Sequence, residues 1–508
     1  MKTEKEIKKQ PAIQRTPKRP LKRNTPSEEE GKKNYFSAHP ELAFILKSFV
    51  LIAVILIVKP FVSGSLGLFL ILLFPLFFVL YMRFKAMSTG KSTLKLIAQN
   101  ITIMPVFYTE KDNRWADVPL VTYSIITINV LVFFVIQTNP AVNSDFIFDN
   151  LLFLPRDMNL WNVPVGAVTS IFLHGDIYHL FGNMIFLWAV GTVVEKRIGG
   201  TKFLIFYMVT GLLAGTTFIM TYYLSTGEAG HALGASGAIS GIMGVYAIRC
   251  YFKSMVFPLP ILGIFSLILP ISLKVRLNSL VILGTFFMLD LGRGLSQLSG
   301  TSGGRVAHWA HIGGMGFGIL LALRAGLEKS AVEERHLDIG AKAVDKGTDV
   351  QKGEESLRFA LEKDPDNVEA LVNLARIETR HRSTDKGQTL YSRAIELMVK
   401  HAPKDAARLY GEYYGKYLTG IAPAPQYRIA GILYRMGEYD LSSRSLELLV
   451  RATDTPANIR EQATYQCAVV LDAMGLEEAS TNYYRTFIEK YPASQMADKV
   501  RGILQGKV

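Results

Sequence analysis

Leu233-Gly-Ala-Ser-Gly-Ala-Ile-Ser-Gly-Ile-Met-Gly244 is the stretch on which the reading of this chain turns. Ser236 stands there among small residues, at the start of an apolar segment that runs on to about Tyr251. Further along, Ala307-His-Trp-Ala-His-Ile-Gly-Gly-Met-Gly-Phe-Gly318 puts histidine at the mouth of a second apolar segment. Serine is a poor nucleophile at neutral pH unless a base lies within hydrogen-bond reach. Histidine in an apolar span is costly unless it faces a polar cavity, which makes His311 a functional candidate. Ser236, Ser240 and Gly244 recur at i, i+4, i+8, and Ala310, Gly314 and Gly318 do the same beside His311. Two such stripes let helix backbones approach closely. The spacing therefore predicts that Ser236 and His311 meet at the ends of two packed helices.

Of the 508 residues, 49% are hydrophobic and only 19% charged. The apolar ones are concentrated between Leu42 and Leu323, in runs near the ~20 residues that span a bilayer. The chain reads as an all-α, multi-pass integral membrane protein. Its net charge of +13 belongs to tails and loops, where it sets orientation in the membrane. No basic-aromatic module accompanies that charge, so nucleic acid is not expected as a partner. The two cysteines, Cys250 and Cys467, are too far apart for a disulfide framework or a thiolate metal site.

Residues 1–40 are basic, contain several prolines and have almost no large apolar side chains, as in a disordered cytosolic tail. Residues 41–83 read as a transmembrane hairpin and 84–118 as a cytosolic connector. The core, 119–325, holds spans at Leu120–Ile136, Leu180–Val194, Thr201–Tyr223, from Ser236, Leu280–Leu295 and Ala307–Leu323. The segment Gln137–Tyr178 sets Arg156 against Asp145, Asp149, Asp157 and Asp176, which places it outside the cytosol. Phe257–Leu273 is apolar but broken by Pro258, Pro260 and Pro270. If it crossed the bilayer, His311 would land at the face opposite Ser236, so it is expected to be re-entrant or interfacial. Residues 326–350 read as a charged linker. From 351 to 508 the pattern is that of soluble amphipathic helices. There Ala360-Leu361 recurs as Ala394-Ile395 and Met436-Gly437 as Met474-Gly475, which suggests a helical solenoid resembling tetratricopeptide repeats, with a surface for a protein partner. Both termini are expected in the cytosol, and the setting is expected to be the plasma (inner) membrane of a bacterium.

A third element, His174-Gly-Asp-Ile-Tyr-His179-Leu-Phe-Gly-Asn183, leads into a membrane helix, with His179 and Asn183 on one face at i, i+4. Acyl transfer needs donors aimed at a developing oxyanion, and His179, Asn183 and the backbone N–H of Ser236 suit that role. A metal held by His174, His179, His308 and His311 is the rival reading. It lacks carboxylates on the same side apart from Asp290, so neither a metal nor another cofactor is expected. Asp290 and Arg293, three residues apart, read as an intrahelical pair, or as a lining for water access.

Taken together, Gly234-Ala-Ser-Gly237, Ala310-His-Ile-Gly-Gly314 with Gly318, His179-xxx-Asn183 and Val194-Glu-Lys-Arg-Ile-Gly199 resemble the rhomboid family of intramembrane serine proteases. The resemblance covers about 115–325. It implies a six-helix bundle, with Ser236 as nucleophile, His311 as general base and no third carboxylate. His179 and Asn183 match oxyanion-stabilising positions, and Glu195 and Arg197 match structural positions at a cytosolic helix end. The implied substrates are transmembrane proteins in the lipid bilayer. Val165-Gly166 stand where many members carry Trp-Arg. The competing class is a catalytically silent, rhomboid-like scaffold whose repeat domain recruits partners. Such a protein is free to lose Ser236 or His311, and both are present.

Overall fold

The computed structural model describes residues 118–506, with gaps within 140–143 and at 154–158, 160, 228–230, 261–271 and 299–306, together with parts of 46–109. The tail 1–40 and most of the hairpin expected over 41–83 lie outside the described residues. The chain divides into two compact units. One is built from 1–127, 176–193 and 253–308, the other from 128–175, 194–252 and 309–508.

After a short helix α1 (Thr93–Asn100) the apolar helices follow: α2 (Leu120–Gln137), α5 (Ile177–Ile198), α6 (Gly200–Thr226), α7 (Ser236–Arg249), α8 (Ser279–Leu298) and α9 (His308–Arg324). Between α2 and α5 lie two short helices, α3 (Ser144–Asn150) and α4 (Asn162–Thr169). Among the described residues α2, α5, α6 and α8 are long and apolar enough to cross a membrane. Helix α7 has only 14 residues and α9 only 17. Asp176 starts α5 by accepting the His179 N–H at 2.8 Å, which satisfies one of the first-turn donors that a helix leaves open. Gly199, at φ +82°, is the break between α5 and α6, in a left-handed conformation that a side chain would resist.

In the first unit the described parts of 257–273, expected as re-entrant or interfacial, lie in two antiparallel strands, β3 (Ser254–Pro260) and β4 (Ser272–Asn278). Ser254 faces Asn278 and Pro260 faces Ser272, so the chain returns beside the point from which it left. Two-residue strands of the connector, β1 (Ile101–Thr102) and β2 (Tyr108–Thr109), complete a sheet in the order β1-β4-β3-β2. β2 reaches only Val256 and Met255 of β3. Pro258 and Pro260, which lack an N–H, fall beyond it, the usual place for proline on a strand. Phe78, Met82, Ala86 and Leu96 form a buried cluster, with Leu273 of β4 against it.

In the second unit, α6, α7 and α9 meet through glycines. A methyl group at Gly314 would overlap the carbonyl of Gly237, one at Gly318 that of Gly241, and one at Gly244 the backbone of Met315. The contact row on α7 is thus Gly237, Gly241 and Gly244, turned by one position from the expected Ser236–Ser240–Gly244 stripe. The other face of Gly241 is filled by Thr210 of α6, so α7 is clamped from two sides. Gly318→Ala is expected to force α7 and α9 apart and cost about 1–3 kcal/mol or more, read as a drop in the thermal midpoint in detergent. An unchanged midpoint would contradict the close packing.

Residues 326–350, expected as a linker, contain a 20-residue helix, α10 (Leu327–Lys346), set at 79° to α9. The bend comes at Gly326, at φ +66°. Lys329, Lys342, Asp345 and Lys346 of this helix are exposed, while Leu327, Ala331, Gly340 and Ala343 are buried. Helix α10 packs on α7 and on the array that follows: α11 (Val350–Lys363), α12 (Val368–Glu378), α13 (Asp385–His401), α14 (Pro403–Tyr417), α15 (Pro423–Arg435), α16 (Tyr439–Arg451), α17 (Ala457–Ala473), α18 (Glu477–Lys490) and α19 (Ala497–Gly506). Each of these packs on the next, and α13, α15 and α17 also pack as alternate helices, the stacking of a solenoid. The recurring Met-Gly pairs close equivalent turns. Gly437 and Gly475 both have positive φ, and Glu438 and Leu476 each donate to a leucine carbonyl, Leu433 and Leu471, at 3.0 Å.

Cys467 is fully buried in this array. Burial pushes its thiol up to about 12, so almost no thiolate exists at neutral pH. The folded protein is therefore expected to leave Cys467 unmodified by iodoacetamide and the denatured chain to react fully, which mass spectrometry distinguishes.

Candidate active site

The turn before α7 sets the serine. Gly234 has φ +119°, and its N–H donates to the Ser170 carbonyl at 2.8 Å, which ties the turn to the segment after α4. Ser236 is the first residue of α7. Its own N–H therefore has no intrahelical acceptor and lies at the positive end of the helix dipole. His311 occupies the first turn of α9, and its Nε2 lies 2.8 Å from Ser236 Oγ. The glycine contacts one turn further along bring the two helix starts this close. At that distance the imidazole is placed to take the hydroxyl proton.

The neighbouring histidine has a different partner. His308 Nδ1 lies 2.7 Å from Asp290 Oδ1 of α8. The expected Asp290–Arg293 pairing is thus corrected: the carboxylate reaches across to the start of α9 instead of along its own helix.

His179 and Asn183 belong to the first unit and lie one turn apart on α5. Asn183 is buried, and its Nδ2 has no hydrogen-bond partner among the described residues. A buried donor left unpaired costs about 1–3 kcal/mol, so it calls for an explanation.

The segment before α5 lacks the Trp-Arg pair, and other contacts hold it. Gln137 Nε2 donates to the His174 carbonyl at 2.8 Å, while Gln137 Oε1 accepts the His174 N–H at 2.9 Å. Phe153 and Ala232 exchange backbone hydrogen bonds, and Thr169 Oγ1 donates to the Leu151 carbonyl at 2.7 Å. Phe153 also lies over Gly215 of α6, where a methyl group would overlap its ring. None of these partners carries a local pattern that a sequence reading could have found.

At the other end of α5, Glu195 is buried and Arg197 turns to α10. Arg197 Nε donates to both carboxylate oxygens of Glu334 at 3.1 Å, and its Nη2 donates to Oε1 at 2.9 Å. Arg249, the last residue of α7, donates through Nη1 to Glu334 Oε2 at 2.6 Å. Arg335 lies over the Tyr251 ring, 5.7 Å from its centre. Helix α10 therefore closes over the end of α7 remote from Ser236.

Long apolar helices and a serine–histidine contact at the ends of two glycine-packed helices define a multi-pass integral membrane protein. Residues 160–327 match the family described as Rhomboid domain. That stretch, about a third of the chain, is a rhomboid domain. It is 31% identical over 128 residues to Rhomboid protease GluP of Bacillus subtilis, a stretch covering 24% of either chain. Against Rhomboid protein 1, mitochondrial, of Saccharomyces cerevisiae, identity is 31% over 102 residues, 20% of this chain and 29% of that one. Against Rhomboid protease GlpG of Salmonella choleraesuis it is 32% over 82 residues, 16% of this chain and 27% of that one. The aligned stretches thus span less than a third of each of these relatives.

Proposed function

We propose that the protein is an intramembrane serine endopeptidase that cleaves transmembrane segments of membrane proteins through a Ser236–His311 dyad. The observation that carries this reading is the 2.8 Å contact between His311 Nε2 and Ser236 Oγ. His311 takes the hydroxyl proton as Ser236 Oγ attacks the scissile carbonyl. The proton then passes to the leaving amine, and water, deprotonated in turn by His311, hydrolyses the acyl-enzyme. The oxyanion would be met by the Ser236 N–H, by Asn183 Nδ2 and by His179. The unpaired Asn183 donor supports its place among them, since a preorganised donor without a ground-state partner is what such a site requires. Gly234, Gly237, Gly314, Gly318, Glu195 and Arg197 are structural in this reading. No metal or other cofactor has a part in it.

The 14 residues of α7 rise about 21 Å, against a hydrocarbon core of ~30 Å. With Arg249 at the inner interface, Ser236 would sit below the outer surface, where a substrate helix must unwind to present its carbonyl. Single-span substrates with helix-destabilising residues near the outer face fit this demand. The bilayer would be the plasma (inner) membrane of a bacterium, with both termini cytosolic and the tetratricopeptide-like array recruiting a protein partner. The test is cleavage of a model single-span protein in liposomes by wild type beside Ser236→Ala and His311→Ala. Equal cleavage by all three would overturn the dyad.

A further inference from the structure

We infer that the helical array carries a docking groove for an extended acidic segment of a partner protein, laid across α13, α15 and α17. The groove has a volume of about 550 Å³. Its central wall is one face of α15, where Tyr427 and Arg428, then Gly431, then Tyr434 and Arg435 follow one another by single helical turns. Val399 of α13 and Gln466 of α17 close the two sides.

Charge selects the occupant. Arg428 and Arg435 are exposed, and among the described residues neither has a carboxylate partner. Five other arginines of the array, Arg358, Arg376, Arg393, Arg444 and Arg451, each hold a glutamate or aspartate. The residues lining the groove include no acidic side chain. Two forked guanidinium groups without counter-charges, flanked by two tyrosine rings, suit carboxylates on a chain that also offers apolar side chains.

Spacing selects the register. Arg428 and Arg435 are seven residues apart on a helix, about 10.5 Å along its axis. An extended ligand advances ~3.3 Å per residue, so two carboxylates about three positions apart would meet both arginines. Gly431 lies between them, and a side chain added there meets nothing within 4 Å. The glycine thus leaves the middle of the groove open to the ligand backbone, and a larger residue would fill this space without disturbing the array. This inference concerns the array alone and does not depend on the dyad chemistry.

The test is a display library of random peptides selected on the full chain in detergent, followed by affinity measurements on fluorescein-labelled peptides from it. The expected wild-type selection is enriched in pairs of Asp or Glu three positions apart. Changing those pairs to Asn and Gln should lower affinity about tenfold or more. Arg428→Glu with Arg435→Glu should invert the charge preference. Gly431→Leu should abolish binding while leaving the helical circular dichroism signal and thermal midpoint at wild-type values, since leucine favours a helix more than glycine. Failure to select any acidic peptide, an unchanged preference in the arginine variant, or full binding by Gly431→Leu would overturn the groove.

Discussion

Ser236→Ala is expected to lower the cleavage rate of a single-span substrate by on the order of 10⁴–10⁶, the loss that follows removal of a serine nucleophile whose base and oxyanion donors remain. The hydroxyl supplies the only bond-forming atom in the proposed mechanism, and no other serine lies at the end of α7 against a histidine. His311→Ala is expected to cost nearly as much, because an alkoxide is not available from serine at neutral pH without the imidazole 2.8 Å away. The two losses should not add: once one member of the pair is gone, the other has nothing to do. The double variant is therefore expected to match the single ones, and a product of the two losses would mean that the residues act separately. Asn183→Ala, which removes one proposed oxyanion donor, should lower kcat by about 10²–10³. The initial rate in liposomes at saturating substrate measures all four variants.

The second large effect is expected at Glu334, a residue no rhomboid motif points to. Its carboxylate is shared by Arg197 and Arg249, whose side chains are 4% and 10% exposed. Glu334→Ala leaves two guanidinium groups buried with this counter-charge removed, and breaking a buried ion pair from one side costs about 3–5 kcal/mol. Glu334→Gln keeps the shape and loses the charge, so it should fall between alanine and wild type. Asp338 is the control. It pairs with Lys342 one turn further along α10, where the two side chains are 28% and 45% exposed. Screening limits such a pair to about 1 kcal/mol or less, and Asp338→Ala should barely move the thermal midpoint. If the Glu334 and Asp338 variants melt together, the buried cluster does not hold α10 in place.

Much of the site was legible because small residues and histidines are conspicuous in apolar sequence. A serine in a Gly-Ala-Ser-Gly turn, and a histidine followed by glycines at helical spacing, can be paired on paper because their helices need no large side chains between them. The row of contact on α7 was misjudged by one residue, since the stripe Ser236–Ser240–Gly244 and the row Gly237–Gly241–Gly244 differ only in the rotation of the helix. Only the position of Thr210 and of the Gly241 carbonyl settles that rotation. Phe257–Leu273 resisted for another reason. Prolines and apolar residues rule out a simple span, but the pairing partners of β3 and β4 include two-residue strands about 150 and 170 positions earlier, too short to carry a period.

Local chemistry, read from residues alone, determined the apolar helices of the membrane core and, to within a few residues, where they begin and end. Each of these depends on interactions within a few positions of the chain: apolar runs near the length of a bilayer, helix-starting turns, glycines at i, i+4. The tertiary structure alone decided which carboxylate meets which cation. Asp290 pairs with His308 rather than Arg293, and Glu334 joins Arg197 to Arg249 across 137 and 85 positions. It also turned an expected linker into a helix bound to the end of the nucleophile's own helix. Charge partners over such separations are set by where helices end in space, and no spacing in the sequence encodes that.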